Sequence, residues 1–272
     1  MDDIMARIVE SLKDIQGIEA IVLGGSRAQK THDEDSDIDI GIYYNDTLNM
    51  DDLSRIVTYL DDEHRDDLLA KPGVWGKWVN GGAWMTIDQK PVDFILRDIH
   101  RVKYYLNQCS MGHVTAHYQT GHPHAYFNVM YVGELAICDV LFSRDNDFLS
   151  LKKQAEVYPE ALKTSIINWF QFEARFSLDL AQKAIIKEDA YYINAHIVRS
   201  ISSLNQIVFA LNKTYCINEK NAVSLIETLP LKPTNYKRSI HLAIAISGEK
   251  PQQACELLEN LICEIEETYL NH

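Results

Sequence analysis

Apolar residues return at helical spacing through the opening segment, where Ile4, Ile8, Leu12 and Ile15 share one side, so the pattern predicts an amphipathic helix over 2–15 that ends at Gly17. Residues 18–23 are mostly apolar and β-prone and run into Gly24-Gly25-Ser26, which predicts a strand, a tight turn and a short helix. Over 36–43 the period becomes two. Asp37 and Asp39 alternate with Ile38, Ile40 and Ile42, giving a strand with one acidic face and one core face. Leu53, Ile56, Val57, Leu60 and Leu68 form an apolar stripe that predicts a helix over 51–69. Glycines, with Trp75, Trp78 and Trp84 nearby, mark 71–82 as a loop. Residues 85–87 and 91–96 flank Asp88-Gln89-Lys90 as a hairpin whose second strand carries Asp93.

Beyond Tyr158 the pattern is helical. Pro159 suits the first turn of a helix running to about 186, and Ile197, Ile201, Leu204, Val208 and Leu211 line one face of a second over 191–211. Shorter helices are expected over 219–229, 236–246 and 252–270. No repeat interrupts this order. The succession implies an α+β fold: a mixed sheet with helices over 1–150, then an α-helical bundle over 151–272.

Composition narrows the class. With 272 residues, 46% hydrophobic and 24% charged, the chain can bury two cores. No apolar run approaches the roughly 20 residues that cross a bilayer, and Met1-Asp2-Asp3 is unlike a secretory signal, so a soluble, cytoplasmic protein is expected. Five cysteines, odd in number and without paired spacing, are expected to be buried reduced thiols. A net charge of -13 opposes a nucleic-acid backbone as partner, since gripping one takes a basic surface. The acidic blocks Asp61-Asp62-Glu63 and Asp66-Asp67 read as a solvated helix face.

Two carboxylates at i and i+2 of a strand project from one face, so Asp37 and Asp39 converge, and a neighbouring strand can bring Asp93 to them. Such oxygen ligands suit Mg²⁺, which completes its shell with water and substrate phosphates. Upstream, Gly24-Gly25-Ser26 offers backbone N–H groups to a phosphate. Singly, each motif is as consistent with an ordinary turn or strand. In order they form Gly-Gly-Ser, ten residues from Arg27 to Ser36, Asp-Ile-Asp, and Val92-Asp93-Phe94-Ile95. That combination resembles the signature of the DNA polymerase beta superfamily of nucleotidyltransferases. The resemblance implies that Asp37 and Asp39 bind metal and that Asp93 is a metal ligand or general base. It also implies that Gly24, Gly25, Ser26, Arg27 and Ser36 meet the triphosphate, and that Mg²⁺ and ATP or another NTP are used.

In the second half, Arg199 within Ile197-Val198-Arg199-Ser200, and Lys220 before Asn221-Ala222-Val223 and Leu229-Pro230, are similar to the helical domain of the streptomycin and spectinomycin adenylyltransferases. This similarity implies that Arg199 and Lys220 reach the nucleotide phosphates; surface positions are the alternative. The function expected is transfer of a nucleoside monophosphate, AMP from ATP, to a hydroxyl of a small, aminoglycoside-like molecule, with no nucleic acid or membrane as partner. Two alternatives stand beside it: AMP transfer to a protein or tRNA, as in nucleotidyltransferase antitoxins, and nucleotide binding without turnover.

Other residues invite hypotheses. His117, His122 and His124 sit in a glycine- and proline-containing loop that lines an acceptor pocket, holds zinc, or simply faces solvent; with no cysteine or carboxylate pattern to complete a metal site, solvent is expected. Glu173, beside Trp169 and Phe176, is either a desolvated general base of raised pKa or a helix glutamate reaching solvent, and Glu134 is a similar case. Trp75, Trp78 and Trp84 either stack on a substrate ring or pack.

Overall fold

The computed structural model describes residues 2–28 and 36–270, and most of the polar spacer between Arg27 and Ser36 lies outside them. The elements in chain order are α1 (Asp2–Leu12), β1 (Ile18–Leu23), α2 (Gly25–Ala28), β2 (Ile38–Tyr44), α3 (Met50–Leu60), β3 (Gly82–Ile87), β4 (Lys90–Asp98), α4 (Ile99–Ser110), β5 (Ala116–His117), β6 (Tyr126–Phe127), α5 (Val129–Ile137), β7 (Asp139–Ser143) and α6 (Asn146–Ala155). There follow α7 (Glu160–Ile185), α8 (Ala190–Leu211), α9 (Ala222–Ile226), α10 (Tyr236–Ile246), α11 (Pro251–Ile265) and a π-helical turn, Glu266–Leu270. Contacts divide the chain into two units. One comprises Met1–Asn107, His117–Gly121 and Tyr131–Val157; the other comprises Gln108–Ala116, His122–Met130 and Tyr158–His272.

The first unit is built on a five-stranded sheet of order β3-β4-β2-β1-β7. Only β2 and β4 run parallel; the other neighbours are antiparallel. Strict alternation decides which side is core. Ile38, Ile40 and Ile42 of β2, Val92, Phe94 and Leu96 of β4, and Ala83, Met85 and Ile87 of β3 form one cluster with Ile4, Ile8 and Leu12 of α1 and Leu53 and Val57 of α3. The residues between them, Asp39, Asp93 and Trp84 among them, therefore belong to the opposite face. The β3–β4 hairpin closes through Asp88 and Gln89, both at positive φ (49° and 62°), the backbone of a tight two-residue turn. Its exposed N–H groups are taken by the Asp62 carboxylate, at 2.9 Å from Asp88 N and 2.8 Å from Gln89 N.

The expected helix over 51–69 is corrected, and of the acidic blocks within it Asp62, Glu63, Asp66 and Asp67 are exposed as expected while Asp61 is not. Helix α3, capped by Asn49, stops at Leu60. Asp61 is fully buried, paired with Arg65 through both carboxylate oxygens (2.9 and 2.7 Å), and accepts the Thr86 N–H at 3.1 Å. A carboxylate so well supplied with donors competes with continuation of the helix.

In the second unit α7 and α8 pack along their lengths, Ser200 Oγ donating to the Ala174 carbonyl at 2.9 Å, and α10 and α11 pack on each other and on this pair. Arg175 of α7 ties to Glu259 of α11 at 2.8 Å and to Glu266 beyond it. The architecture is the α+β class with a helical C-terminal region that the pattern implies. All five cysteines are free thiols, four buried and Cys263 half-buried. Among the described residues no helix is long and apolar enough to cross a membrane.

Candidate active site

The end of β1, the start of β2 and the middle of β4 meet at one place in the first unit. Gly24 N–H donates to the Asp39 carbonyl at 2.8 Å, continuing the β1–β2 ladder one residue past the strand. Gly25 then turns the chain into α2 at φ +58°, and a Cβ there would stand 1.8 Å from Asp39 Oδ2, so the turn's backbone lies directly on the aspartate. Ser26 occupies the next position of α2. Arg27 is buried and points back, its Nε donating to the Asp37 carbonyl at 3.0 Å and its Nη2 to the Ser36 carbonyl. The arginine thus clamps the entry to β2 and fixes where Asp37 and Asp39 emerge.

Across the parallel ladder Asp39 stands opposite Asp93. Paired residues of neighbouring strands project from the same face, which brings the two carboxylates together. Burial, and then the charges of Asp39 and Asp37, push the Asp93 carboxyl up to about 6. All three predicted aspartates are therefore within electrostatic reach of one another. Among the described residues no group of three or more His, Cys, Asp or Glu side chains stands in an arrangement that could hold a metal ion. Residues 5–108 match the family model "Nucleotidyltransferase domain", a match that takes in the turn and all three aspartates. The chain carries a nucleotidyltransferase domain. A solved structure described as a nucleotidyltransferase-like protein from Exiguobacterium sibiricum 255-15 is similar at 11% identity and a TM-score of 0.42, covering 97% of this chain and 75% of that one. No curated protein matches the chain.

Around the nucleotidyltransferase domain's acidic centre the tryptophans divide. Trp78 is buried, stacking on His117 at 4.0 Å and accepting the Tyr131 hydroxyl on its carbonyl at 2.6 Å. Trp84 is 61% exposed and stacks on Trp75 with ring centroids 4.4 Å apart. Glu134 accepts from Nε and Nη2 along one edge of the buried Arg97 guanidinium, at 2.8 and 2.9 Å, in a structural clamp. A cleft of about 390 Å³ lined by Glu19, Asn45 and Phe148 opens at the other end of β1 and β2, away from the aspartates.

The remaining predicted residues lie in the second unit. The His122 and His124 side chains are 12% and 7% exposed, which overturns their expected solvent exposure. His122 Nδ1 lies 3.3 Å from Glu219, and His124 Nε2 lies 3.2 Å from Glu173, which also pairs with Arg199 at 2.7 Å. Burial alone pushes the Glu173 carboxyl up, but the hydrogen bond from His124 and the charge of Arg199 outweigh it and hold the group below its ordinary value. Neither alternative holds, since Glu173 is neither raised in pKa nor turned to solvent: it is an anchored anion. Its role as partner of His124 and Arg199 was missed in the sequence because His124 lies 49 residues before it, with β6, α5, β7 and α6 between, and Arg199 lies on the next helix. Lys220 is exposed, its N–H bonded to the Asn218 side chain at 2.9 Å.

Proposed function

We propose that the protein moves a nucleoside monophosphate, AMP from ATP, to a hydroxyl of a small, aminoglycoside-like molecule, using Asp37, Asp39 and Asp93 as the catalytic carboxylates. The observation that carries this reading is the pairing of Asp39 with Asp93 on parallel neighbouring strands, with the Asp93 carboxyl lifted by burial and then by its two acidic neighbours. Neighbouring carboxylates that raise one another's pKa are suited to hold a hard divalent cation, and Mg²⁺ completes its shell with waters and substrate phosphates. Bound Mg²⁺ would supply charge neutralisation at the reacting phosphate and orientation of its oxygens. The protein's own contribution is placement. The Gly24 N–H is held by the Asp39 carbonyl, so the turn is fixed beside Asp39, and the absence of side chains at Gly24 and Gly25 lets a triphosphate come close to Ser26. Arg27 holds the Ser36–Asp37 backbone against this turn.

In the reaction the acceptor oxygen bonds to the α-phosphorus while the bond to the bridging oxygen breaks, and pyrophosphate leaves. The hydroxyl proton passes to the Asp93 carboxylate, which stands opposite Asp39 in the parallel ladder and acts as the base. Arg199 and Lys220 are proposed, by the similarity of their helical segments to the streptomycin and spectinomycin adenylyltransferases, to meet the nucleotide phosphates. The net charge of -13 favours a cationic small acceptor over a polynucleotide. Incubating the purified protein with each labelled NTP, Mg²⁺ and a panel of hydroxylated amines, and following pyrophosphate, tests this. Release that depends on ATP and on a small acceptor supports it; nucleotide binding without release supports a non-catalytic binder.

A further inference from the structure

Four features lie on successive neighbours of the sheet in a fixed order: the Gly24–Ser26 turn after β1, Asp39 on β2, Asp93 on β4 and Trp84 on β3. Asp39 pairs with Asp93 in the parallel ladder, and Asp93 pairs with Trp84 in the antiparallel one. Directly opposed residues share a face, so these three side chains form a row, with the Cβ atoms of Asp93 and Trp84 about 5 Å apart. Trp84 is 61% exposed on that face, while Ala83 and Met85 on either side of it are buried in the core. An indole left in solvent beside a carboxylate centre is not packing the sheet.

The order has a chemical meaning once the turn is taken as the triphosphate end, and in this the inference rests on the proposed function. Transfer of a nucleotidyl group is an in-line displacement, so the attacking oxygen approaches from the side opposite the departing pyrophosphate. With pyrophosphate toward β1, the acceptor arrives from the β3 side. There it meets Trp84, one face of whose ring is already backed by Trp75. The backing is itself built in. Trp75 lies against Gly82, whose glycine is required first by the Phe94 carbonyl, 1.8 Å from where a Cβ would stand, and which also leaves room for Trp75 Cζ3 at 2.8 Å. Tryptophan is the strongest of the aromatic faces for a cation, and neighbouring aspartates add to that attraction.

We propose that the exposed face of Trp84 is the acceptor subsite, and that its occupant is a ring-bearing, positively charged alcohol that lays its ring on the indole and turns a hydroxyl toward Asp93. Trp84 here positions the acceptor and takes no part in bond making.

The test uses the full chain with Mg²⁺ and saturating ATP. Streptomycin, spectinomycin and kanamycin are the cyclic cations, myo-inositol is the neutral ring, and choline is the acyclic cation. The expected result is that a cyclic cation is used in preference to both controls. Trp84→Ala should raise KM for that acceptor roughly threefold to thirtyfold, as loss of a cation–π contact predicts, with kcat and calorimetric MgATP affinity within about twofold of wild type. Trp84→Phe should recover most of the loss, and circular dichroism melts of both variants should match wild type. An unchanged acceptor KM in Trp84→Ala overturns the subsite, as does a parallel loss of MgATP affinity, which would put the nucleotide there instead. Preference for choline or myo-inositol, or use of none of the five, overturns the substrate class. Failure of the wild type to bind MgATP at all would instead sink the proposed function beneath it.

Discussion

A side chain at position 25 would collide with the Asp39 carboxylate, its Cβ only 1.8 Å from Oδ2, so the glycine is required by the aspartate as well as by its own positive φ of 58°. Two independent demands fall on one residue. Gly25→Ala must pay about 1–2 kcal/mol for the left-handed backbone and must also displace Asp39. The expected outcome is a modest fall in Tm together with loss of the added Tm that MgATP gives wild type. A Gly25→Ala protein that MgATP stabilises as well as wild type would separate the turn from the site.

Asp61 holds together three segments: the end of α3, Arg65 and the Thr86 N–H of β3. Donation by Arg65 is the largest of the influences that hold its carboxyl well below the ordinary carboxylate range. A depressed folded-state pKa means that this stability is present above the ordinary value of 3.8 and is lost only as pH falls through the lower folded value. Asp61→Asn, which keeps the volume but removes the anion, should cost about 2 kcal/mol at neutral pH. Urea melts at pH 7 measure this, and a loss below about 0.5 kcal/mol would show that the pairing contributes little.

Asp93 has the opposite sign. Its folded pKa of about 6 lies above the ordinary 3.8, so in the metal-free protein its contribution is full below 3.8 and is lost as pH rises through 6. Melts in EDTA should show Tm falling between pH 4 and 7 by more in wild type than in Asp93→Asn, whose side chain does not titrate. Identical pH profiles for the two proteins would mean that Asp93 is neither desolvated nor crowded by Asp39 and Asp37.

Much of this centre was legible in the chain because strand alternation is a local signal. Asp37 and Asp39 against Ile38, Ile40 and Ile42 announced both the strand and its acidic face, and α7 and α8 announced themselves by length and apolar stripe. The register of Trp84 against Asp93 was not, because the sequence pattern counts Lys90 into the turn and begins the strand at Met85, whereas the chain turns on Asp88 and Gln89 alone and β3 starts at Gly82. What the sequence withheld depends on distant partners. Edge strand β7 is short and only half-buried, and it is a strand because β1 offers it an antiparallel neighbour. Helices α4, α5 and α6 lie in the same 97–157 stretch, where apolar and polar residues follow no clean period over the length a helix needs. Asp61 looked like a solvated acid because nothing local says that Thr86 and Arg65 close over it. His122 and His124 looked exposed because Glu219 and Glu173, their partners, are 97 and 49 residues away.

The central claim is that the carboxylates paired across β2 and β4 perform nucleotidyl transfer. The most direct measurement is pyrophosphate release from MgATP, with the acceptor the wild type uses, by Asp39→Asn and Asp93→Asn, each shown by circular dichroism to be folded. Both substitutions keep side-chain volume and remove one anion, so packing should survive and Tm should hold or rise slightly in the absence of metal. The account predicts that each variant falls on the order of a hundredfold or more in rate. Release by either variant within about tenfold of wild type would contradict it, and would take that aspartate out of the active centre.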